Sequence, residues 1–318
     1  MIVERTVRKR YLITLCSTAR YVMTVVLLAT GATSASAQIS NEQCQKCHGE
    51  TSIASMRPES LAAMISVPPG QQPQYRPPAE IGQLFVAPEA IKQSAHAGLD
   101  CVDCHLGSEK LPHPQRLQQR SCQDCHADVK QAMDTTPHGS AGDRSPSCAD
   151  CHGSAHQVSS FSTPRTFHEA QTIVQRCSAC HASPDARGMN PATTYHDNVH
   201  GDALLVKGLA LSATCVDCHG HHAILPSTDS KSQISPQNAP ETCGRCHEGI
   251  SEVFFASVHG KTLAAGEKMA ASCTSCHSSH GIAEVNNRFL HEIVQECSVC
   301  HLDLGKSYLA SFHGKATE

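Results

Sequence analysis

The 318-residue chain is too poor in large apolar side chains to build the two conventional cores that its length suggests. It has no Trp, 7 Phe and 5 Tyr, but 19 Cys and 22 His. Charged residues make up 17% of the chain and the formal net charge is −4, values that do not indicate disorder. We therefore expect bound cofactors or metals to fill the interior.

The first 37 residues have the pattern of an export signal. A basic segment that includes Arg8, Lys9 and Arg10 precedes a short apolar stretch, and Ala35-Ser36-Ala37 has the small-x-small form of a signal-peptidase site. No Arg-Arg pair is present, which favours Sec-type export to the periplasm. The alternatives are an extracellular location or an uncleaved inner-membrane anchor, although the apolar stretch at 21–32 is shorter than the ~20 residues that span a bilayer.

Without this signal, the chain has 20 Lys plus Arg against 28 Asp plus Glu. Such an acidic balance argues against nucleic acid as a partner and against direct binding to an anionic membrane surface. Cys16 leaves with the signal, and the 18 remaining cysteines of an exported protein could form a disulfide scaffold.

The spacing of these cysteines indicates a different chemistry. They form nine Cys-x-x-Cys pairs, and a His follows each pair directly. This is the attachment sequence for c-type haem, in which two thiols bond the porphyrin and the His binds its iron. Zinc ribbons and disulfide scaffolds do not require that His, and nine chance matches have a probability on the order of 10⁻¹⁰. The motifs are Cys44-Cys47-His48, Cys101-Cys104-His105, Cys122-Cys125-His126, Cys148-Cys151-His152, Cys177-Cys180-His181, Cys215-Cys218-His219, Cys243-Cys246-His247, Cys273-Cys276-His277 and Cys297-Cys300-His301.

Thirteen further histidines provide candidates for the second axial position of each iron. Most of them either precede a Gly or follow a motif after three or four residues, and we expect them to be distal ligands rather than surface residues. The nine distal candidates are His96, His113, His138, His156, His200, His222, His259, His280 and His313. We interpret the remaining four as surface or supporting residues: His168, His196, His221 and His291.

The motifs define an internal repeat. Each unit contains a motif, a His-Gly, a second motif and a trailing His; units begin at Cys44, Cys122, Cys177 and Cys243, and a half unit occupies 297–314. In three units, 12 residues separate the first motif His from the His-Gly, which predicts a helical spacer of ~18 Å.

A Pro-rich stretch interrupts the first unit. Residues 57–88 contain seven of the 17 Pro, and a helix is expected at 58–65. We favour a flexible linker, with an insertion that wraps the haems or docks a partner as the alternative. The predicted organisation is a signal peptide at 1–37, a first haem-binding segment at 38–56, a Pro-rich insertion or linker at 57–93 and a repeat array at 94–318.

With these motifs the chain resembles periplasmic bis-His multihaem c-type cytochromes, which include pentahaem electron donors and decahaem members of outer-membrane conduits. The resemblance covers nearly all of residues 41–315. It implies low-potential, low-spin haems stacked edge to edge, with many distal ligands supplied by another unit.

The expected fold class is mainly α with much irregular structure, templated by haem, with short helices and almost no sheet. The expected function is electron transfer through nine covalent haems, from a quinol-linked membrane donor to a terminal reductase or a porin-cytochrome conduit, without catalysis. One alternative is a multihaem oxidoreductase that acts on nitrogen or sulfur oxyanions at an open iron, although no Cys-x-x-Cys-Lys motif is present. Another is a membrane-anchored quinol oxidase of the tetrahaem type.

Overall fold

The computed structural model describes five stretches of the chain, without the side chains of residues 287–292: 39–73, 82–159, 164–184, 188 and 190–315. They belong to one compact unit, Ile39–Glu318. The predicted signal peptide and its Cys16 lie outside the described residues.

Helices, most of them short, make up most of the regular structure in the described stretches, as the sequence predicted. The longest has 15 residues. The α-helices are α1 (Asn41–His48), α2 (Pro58–Ala62), α3 (Pro88–Lys92), α4 (Cys101–Cys104), α5 (Ala127–Asp134), α6 (Pro137–Ser140), α7 (Cys148–His152), α8 (Phe167–His181), α9 (Pro191–His196), α10 (Val199–Gly201), α11 (Cys215–His219), α12 (Ala239–Gly244), α13 (Glu248–Ala256), α14 (Val258–Ala264), α15 (Cys273–His277), α16 (Asn287–Cys300), α17 (Leu302–Ala310) and α18 (Phe312–Lys315).

Other regular structure is sparse. Five 3₁₀ turns and one π turn accompany the α-helices: Thr51–Ser55, Gly82–Leu84, Cys122–Asp124, Gly142–Arg144, Ala155–Gln157 and the π turn Asp202–Val206. The sheet in the described part is a single antiparallel pair, β1 (His105–Leu106) with β2 (Gln118–Gln119), in which His105 lies opposite Gln119. The expectation of almost no sheet is confirmed for these residues.

The predicted 12-residue helical spacer is divided into two helices. In the unit that begins at Cys243, α13 ends at Ala256 and α14 begins at Val258. Ser257 has extended backbone geometry and caps α14, because its hydroxyl accepts the Gly260 N–H at 3.1 Å. The expectation of one continuous helix was therefore wrong, and the distal candidate lies on the second, separately capped helix.

Capping boxes hold most of the motif turns. The residue before the first Cys is the N-cap, and its backbone N–H donates to the side chain three residues later. This arrangement fixes the turn on which both thiols project from neighbouring positions. The boxes pair Asp100 with Asp103, Ser121 with Asp124, Ser147 with Asp150, Thr214 with Asp217, and Ser272 with Ser275.

The box at α11 carries an additional long-range contact. Asp217 accepts hydrogen bonds from the N–H and hydroxyl of Thr214, both at 2.7 Å, and from Arg165 at 2.5 Å. We expect Asp217→Ala to lower the stability of the holoprotein by about 1–2 kcal/mol, because hydrogen bonds to a charged group are lost. The measurement is the thermal midpoint.

Asp103→Ala is the matched control for Asp217→Ala. Asp103 caps α4 in the same way, through the Asp100 N–H at 2.8 Å. No long-range partner such as Arg165 bonds to it within the described residues. Equal losses in the two variants would contradict a role for Arg165.

The apolar core is small for a chain of this length. Eleven apolar side chains are buried in the described part, and the cluster they form consists of Ala170, Val174, Tyr195 and Leu204. These four come from α8, α9 and the π turn. Large apolar side chains elsewhere are exposed, including Ile250 and Val253, each 70% exposed. The polypeptide alone therefore leaves much apolar surface uncovered.

Candidate haem-binding site

The eighteen motif cysteines are free thiols in the structure. All lie in the described part, and none forms a disulfide. Eleven of them are exposed and seven are intermediate in burial. The arrangement is not that of a disulfide scaffold and leaves each pair of thiols open to covalent attachment.

Eight of the nine motif histidines face a distal candidate. The ring centroids of each pair are 5.8–6.1 Å apart. Each pair combines one motif His with one candidate from outside the motifs. The pairs are His48–His113, His105–His156, His126–His96, His152–His222, His181–His138, His219–His280, His247–His200 and His301–His259.

This spacing fits one metal ion held between two imidazoles. Two metal–nitrogen bonds of about 2.0 Å, with about 1.1 Å from each nitrogen to its ring centre, place the centroids about 6 Å apart. Within the described ranges, no group of three or more His, Cys, Asp or Glu is arranged to hold a metal ion. The donor set is therefore two axial imidazoles with two thiols beside one of them, which suits a porphyrin that supplies the equatorial ligands.

Burial keeps many of these imidazoles neutral, the form that binds metals. Burial lowers the pKa of His219, and the facing His280 lowers it further. Burial likewise lowers the pKa of His138 and then of His200, with a contribution from the facing ring in each case. The same direction holds for His105, His156, His222 and His280.

Thiol contacts place the two motifs of each unit side by side. The first Cys of one motif forms a side-chain hydrogen bond with the first Cys of the other. The pairs are Cys44–Cys101, Cys122–Cys148, Cys177–Cys215 and Cys243–Cys273.

Electrostatic interactions between thiols also link consecutive units. Burial raises the pKa of the second thiol in each even-numbered motif, and the charge of a thiol in the following motif raises it further. The neighbours are Cys104 with Cys125, Cys151 with Cys177, Cys218 with Cys243, and Cys276 with Cys297. The interacting thiols therefore belong to motifs that are also consecutive in the sequence.

Seven of the eight pairs cross a unit boundary, and they do so in two directions. The His-Gly of one unit faces the first motif of the next: His96 with His126, His138 with His181, His200 with His247, and His259 with His301. The trailing His of one unit faces the second motif of the preceding unit: His156 with His105, His222 with His152, and His280 with His219. Among the described pairs, only His48–His113 lies within one unit.

Backbone hydrogen bonds join the same crossing segments. The Ala95 N–H, next to His96, donates to the Val158 carbonyl at 2.8 Å. In the third unit, the Val199 N–H donates to the Ile282 carbonyl at 3.0 Å. The corresponding residue of the second unit is Pro137, which has no N–H to donate.

The Gly of each His-Gly has a steric role that sequence reasoning missed. It packs against the end of the preceding helix, where any Cβ would overlap a backbone carbonyl oxygen six residues earlier. The Ser, Thr or Asn two residues before the His accepts the N–H of this Gly. The signal was the Ser/Thr/Asn-x-His-Gly pattern itself, which is a helix-start signature. The pairs of Gly and carbonyl are Gly139 with Met133, Gly201 with Tyr195, Gly260 with Phe254, and Gly314 with Tyr308.

Described residues of the Pro-rich stretch contact both histidines of the first pair, the imidazole of His48 and the backbone carbonyl of His113. His48 Nδ1 donates to the Leu84 carbonyl at 2.8 Å, and the Ser66 N–H donates to the His113 carbonyl at 3.0 Å. These contacts place described residues of the Pro-rich stretch beside the first pair, and the choice between a linker and an insertion stays a prediction. The helix predicted at 58–65 begins at Pro58, as expected, but ends at Ala62.

One distal candidate faces no imidazole in the described part. The ring of His313 contacts Phe312 edge-on at 6.0 Å. His277, in the eighth motif, has interactions of its own.

The four other histidines face no motif imidazole where their side chains are described. His168 is exposed, and the ring of His196 lies edge-on to Tyr195 at 6.3 Å. His221 lies edge-on to His222 at 5.5 Å. His291 is on α16, and its side chain is outside the described residues.

No family model and no curated protein matches the chain. Of the helices in the described ranges, none is long and apolar enough to cross a membrane.

Proposed function

We propose that the chain is an electron-transfer protein that carries nine covalently attached c-type haems in one line. The observation that carries the proposal is the set of eight imidazole pairs, each combining a Cys-x-x-Cys-His motif with a second His at 5.8–6.1 Å. When bound, each haem supplies an iron that gains and loses one electron.

In this proposal the residues of each site attach the haem and tune its reduction potential, and they do not take part in a reaction with a substrate. The two thiols would hold the porphyrin, and the two facing imidazoles would hold its iron. At the eight paired sites, an iron held by both imidazoles would have no position left for a substrate, which supports a carrier over an enzyme. Burial and the His48–Leu84 hydrogen bond set the basicity of the axial ligands and so tune the reduction potential.

Exposed apolar side chains near the motif histidines support a porphyrin as the apolar group that fills the interior. Ile250 and Val253 on α13 are each 70% exposed, and Val258, next to His259, is 74% exposed. Such exposure is costly in water unless an apolar group covers it. In the proposed holoprotein the rings cover these side chains.

The order of the motifs supports a route for electrons from one end of the chain to the other. Thiols of consecutive motifs interact with each other from Cys44 to Cys297, by hydrogen bonds within a unit and electrostatically between units. We propose a quinol-linked membrane donor at one end and a terminal reductase or porin-cytochrome conduit at the other. The acidic balance of residues 38–318 suits basic faces on these partners, and the signal pattern suits the periplasm.

Mass spectrometry and electron paramagnetic resonance of the holoprotein test the proposal. We expect nine attached haems per chain and low-spin ferric signals for all of them. A stoichiometric high-spin haem that binds nitrite or cyanide would overturn the carrier in favour of a multihaem reductase. Fewer than nine haems would contradict the assignment of the motifs themselves.

A further inference from the structure

Asn198 lies between two of the segments that carry distal candidates. Its side chain is buried, with 4% of the residue exposed, and it is the N-cap of α10. Its Oδ1 accepts the N–H groups of His200 and Gly201, both at 2.8 Å. Its Nδ2 donates to the backbone carbonyl of His280, 82 residues away, at 2.8 Å. One buried side chain therefore holds the His200 segment and the His280 segment together.

The three hydrogen bonds of Asn198 require an amide in one orientation. The amide oxygen faces two N–H donors, and the amide nitrogen faces a carbonyl oxygen. A half-turn of the amide would set donor against donor and acceptor against acceptor. Ser, Thr and Asp also cap helices, but a hydroxyl is shorter than this amide and a carboxylate has no N–H to donate. Asn therefore combines the cap with the bridge to His280.

Hydroxyl caps at three corresponding positions of the repeat make a local contact instead. Each hydroxyl donates, at 2.6 Å, to the carbonyl three residues earlier at the end of the preceding helix. The amide of Asn198 differs because it reaches from the third unit into the fourth. The local contacts are Thr136 with Met133, Ser257 with Phe254, and Ser311 with Tyr308.

A backbone hydrogen bond lies beside the Asn198 bridge. The Val199 N–H donates to the Ile282 carbonyl at 3.0 Å. The contact from Ala95 to Val158 joins the first and second units at the same positions, one residue before one distal candidate and two residues after the other. The third and fourth units are thus joined by this recurring backbone contact and, in addition, by the Asn198 amide.

Both of the joined segments carry an imidazole that faces a motif His. His280 faces His219 of the sixth motif, and His200 faces His247 of the seventh. These two motifs are consecutive but belong to different units. A shift of either segment would therefore move a distal imidazole relative to the motif His opposite it.

We propose that Asn198 is a positioning residue for the distal ligands of two consecutive haems, the sixth and the seventh. This inference rests on the proposed function. The Asn198 side chain binds neither iron and acts through the backbone of each ligand segment, since hydrogen bonds behind a metal ligand fix its orientation. Loss of the amide frees both segments, so one substitution changes two haems and leaves the other seven as they are.

The two sites differ in a way that a spectrum reports. The rings of His219 and His280 are nearly parallel, 7° apart, whereas those of His200 and His247 are tilted by 48°. The electron paramagnetic resonance signal of a low-spin ferric haem depends on the angle between its two axial imidazoles. We therefore expect separate signals for the sixth and seventh haems, which His280→Ala and His200→Ala identify by their loss.

Asn198→Thr in the holoprotein tests the inference. A Thr keeps the cap, as Thr136 does in the second unit, but its shorter side chain does not reach the His280 carbonyl. We expect nine haems, with the low-spin signals of the sixth and seventh haems shifted and the other seven unchanged. Asn198→Ser is expected to give the same two shifts, so that crowding by the Thr methyl group does not account for them.

Two results would overturn the inference. One is an unchanged signal of the sixth haem in both variants, which would reduce Asn198 to a helix cap. The other is a shift spread over all nine haems, which would indicate a general loosening of the chain.

Asn238→Thr is the matched control for the loss of a buried amide bond. The Asn238 Nδ2 donates to the carbonyls of Ser230 and Ser232, in a segment at 223–238 that contains no His. Its spectrum should equal that of the wild type. Fewer than nine haems in the wild-type chain would contradict the proposed function itself, whatever the Asn198 variants show.

Discussion

Replacing His280 by Ala is expected to convert one of the nine irons to the high-spin state without loss of haem. His280 faces His219 at 5.9 Å with nearly parallel rings, 7° apart, across the boundary between the third and fourth units. The thiols of Cys215 and Cys218 still attach the haem, so the haem count stays at nine. Loss of one axial imidazole weakens the ligand field at that iron alone.

The measurements for His280→Ala are the integrated high-spin signal and its response to added imidazole. We expect about one haem equivalent of high-spin iron and a return to low spin when free imidazole occupies the vacated position. A slower transfer of electrons from one end of the chain to the other is also expected, because the sixth site lies inside the line.

His221→Ala is the matched control for His280→Ala. His221 follows a motif His at two residues, is exposed, and faces no motif imidazole. We expect its spectrum to equal that of the wild type. An entirely low-spin spectrum for His280→Ala would show that His280 is not a ligand and would remove the crossing arrangement at this boundary.

The sequence pointed to the candidate histidines as a class but not to their pairing in space. Cys-x-x-Cys-His and His-Gly are local patterns that can be recognised in a sequence without knowledge of the fold. The candidates chosen from these patterns include eight that lie opposite a motif His in the structure. Pairing depends on how units pack, and His96 reaches His126 past an intervening motif. Tertiary contacts of this kind leave no trace in local spacing.

The sequence overestimated the regularity of the spacer, and it did not predict the contacts of the Pro-rich stretch with the first pair. A count of 12 residues could not distinguish one helix from two, although the cap at Ser257 was visible as a Ser two residues before the His. The hydrogen bonds of Ser66 and Leu84 to the first pair involve backbone groups. Because almost every residue type carries the same backbone groups, these hydrogen bonds cannot be predicted from residue types. The Pro content was then the main signal, and it suggested a linker.

The crossing pairs couple neighbouring units in a way that ordinary repeat proteins lack. Repeats usually interact through side-chain packing at each interface. Here the apolar core is small, and in the proposed holoprotein two irons at each of the three boundaries between full units would bind ligands from both sides. Loss of the haems would therefore also remove the contacts that these ligands make between units. We attribute the cohesion of the array in the proposed holoprotein mainly to the haems.

Replacing Gly260 by Ala is expected to displace His259 from the ninth site. A Cβ on Gly260 would overlap the carbonyl oxygen of Phe254 and crowd the Cα of Phe255. Both atoms belong to the end of α13, a rigid backbone that cannot yield as a side chain does. The start of α14 must then move away from α13, and with it the imidazole that faces His301 at 6.1 Å.

We expect Gly260→Ala to retain nine haems while the iron of the ninth motif becomes partly or wholly high-spin, with a thermal midpoint below that of the wild type. Gly249→Ala is the matched control, because Gly249 lies on α13 and a Cβ there meets nothing within 4 Å. The same substitution at this open helical position should stabilise the chain by up to about 1 kcal/mol and leave the spin state unchanged. A fully low-spin Gly260→Ala protein would show that the close packing of α14 on α13 does not position the ligand.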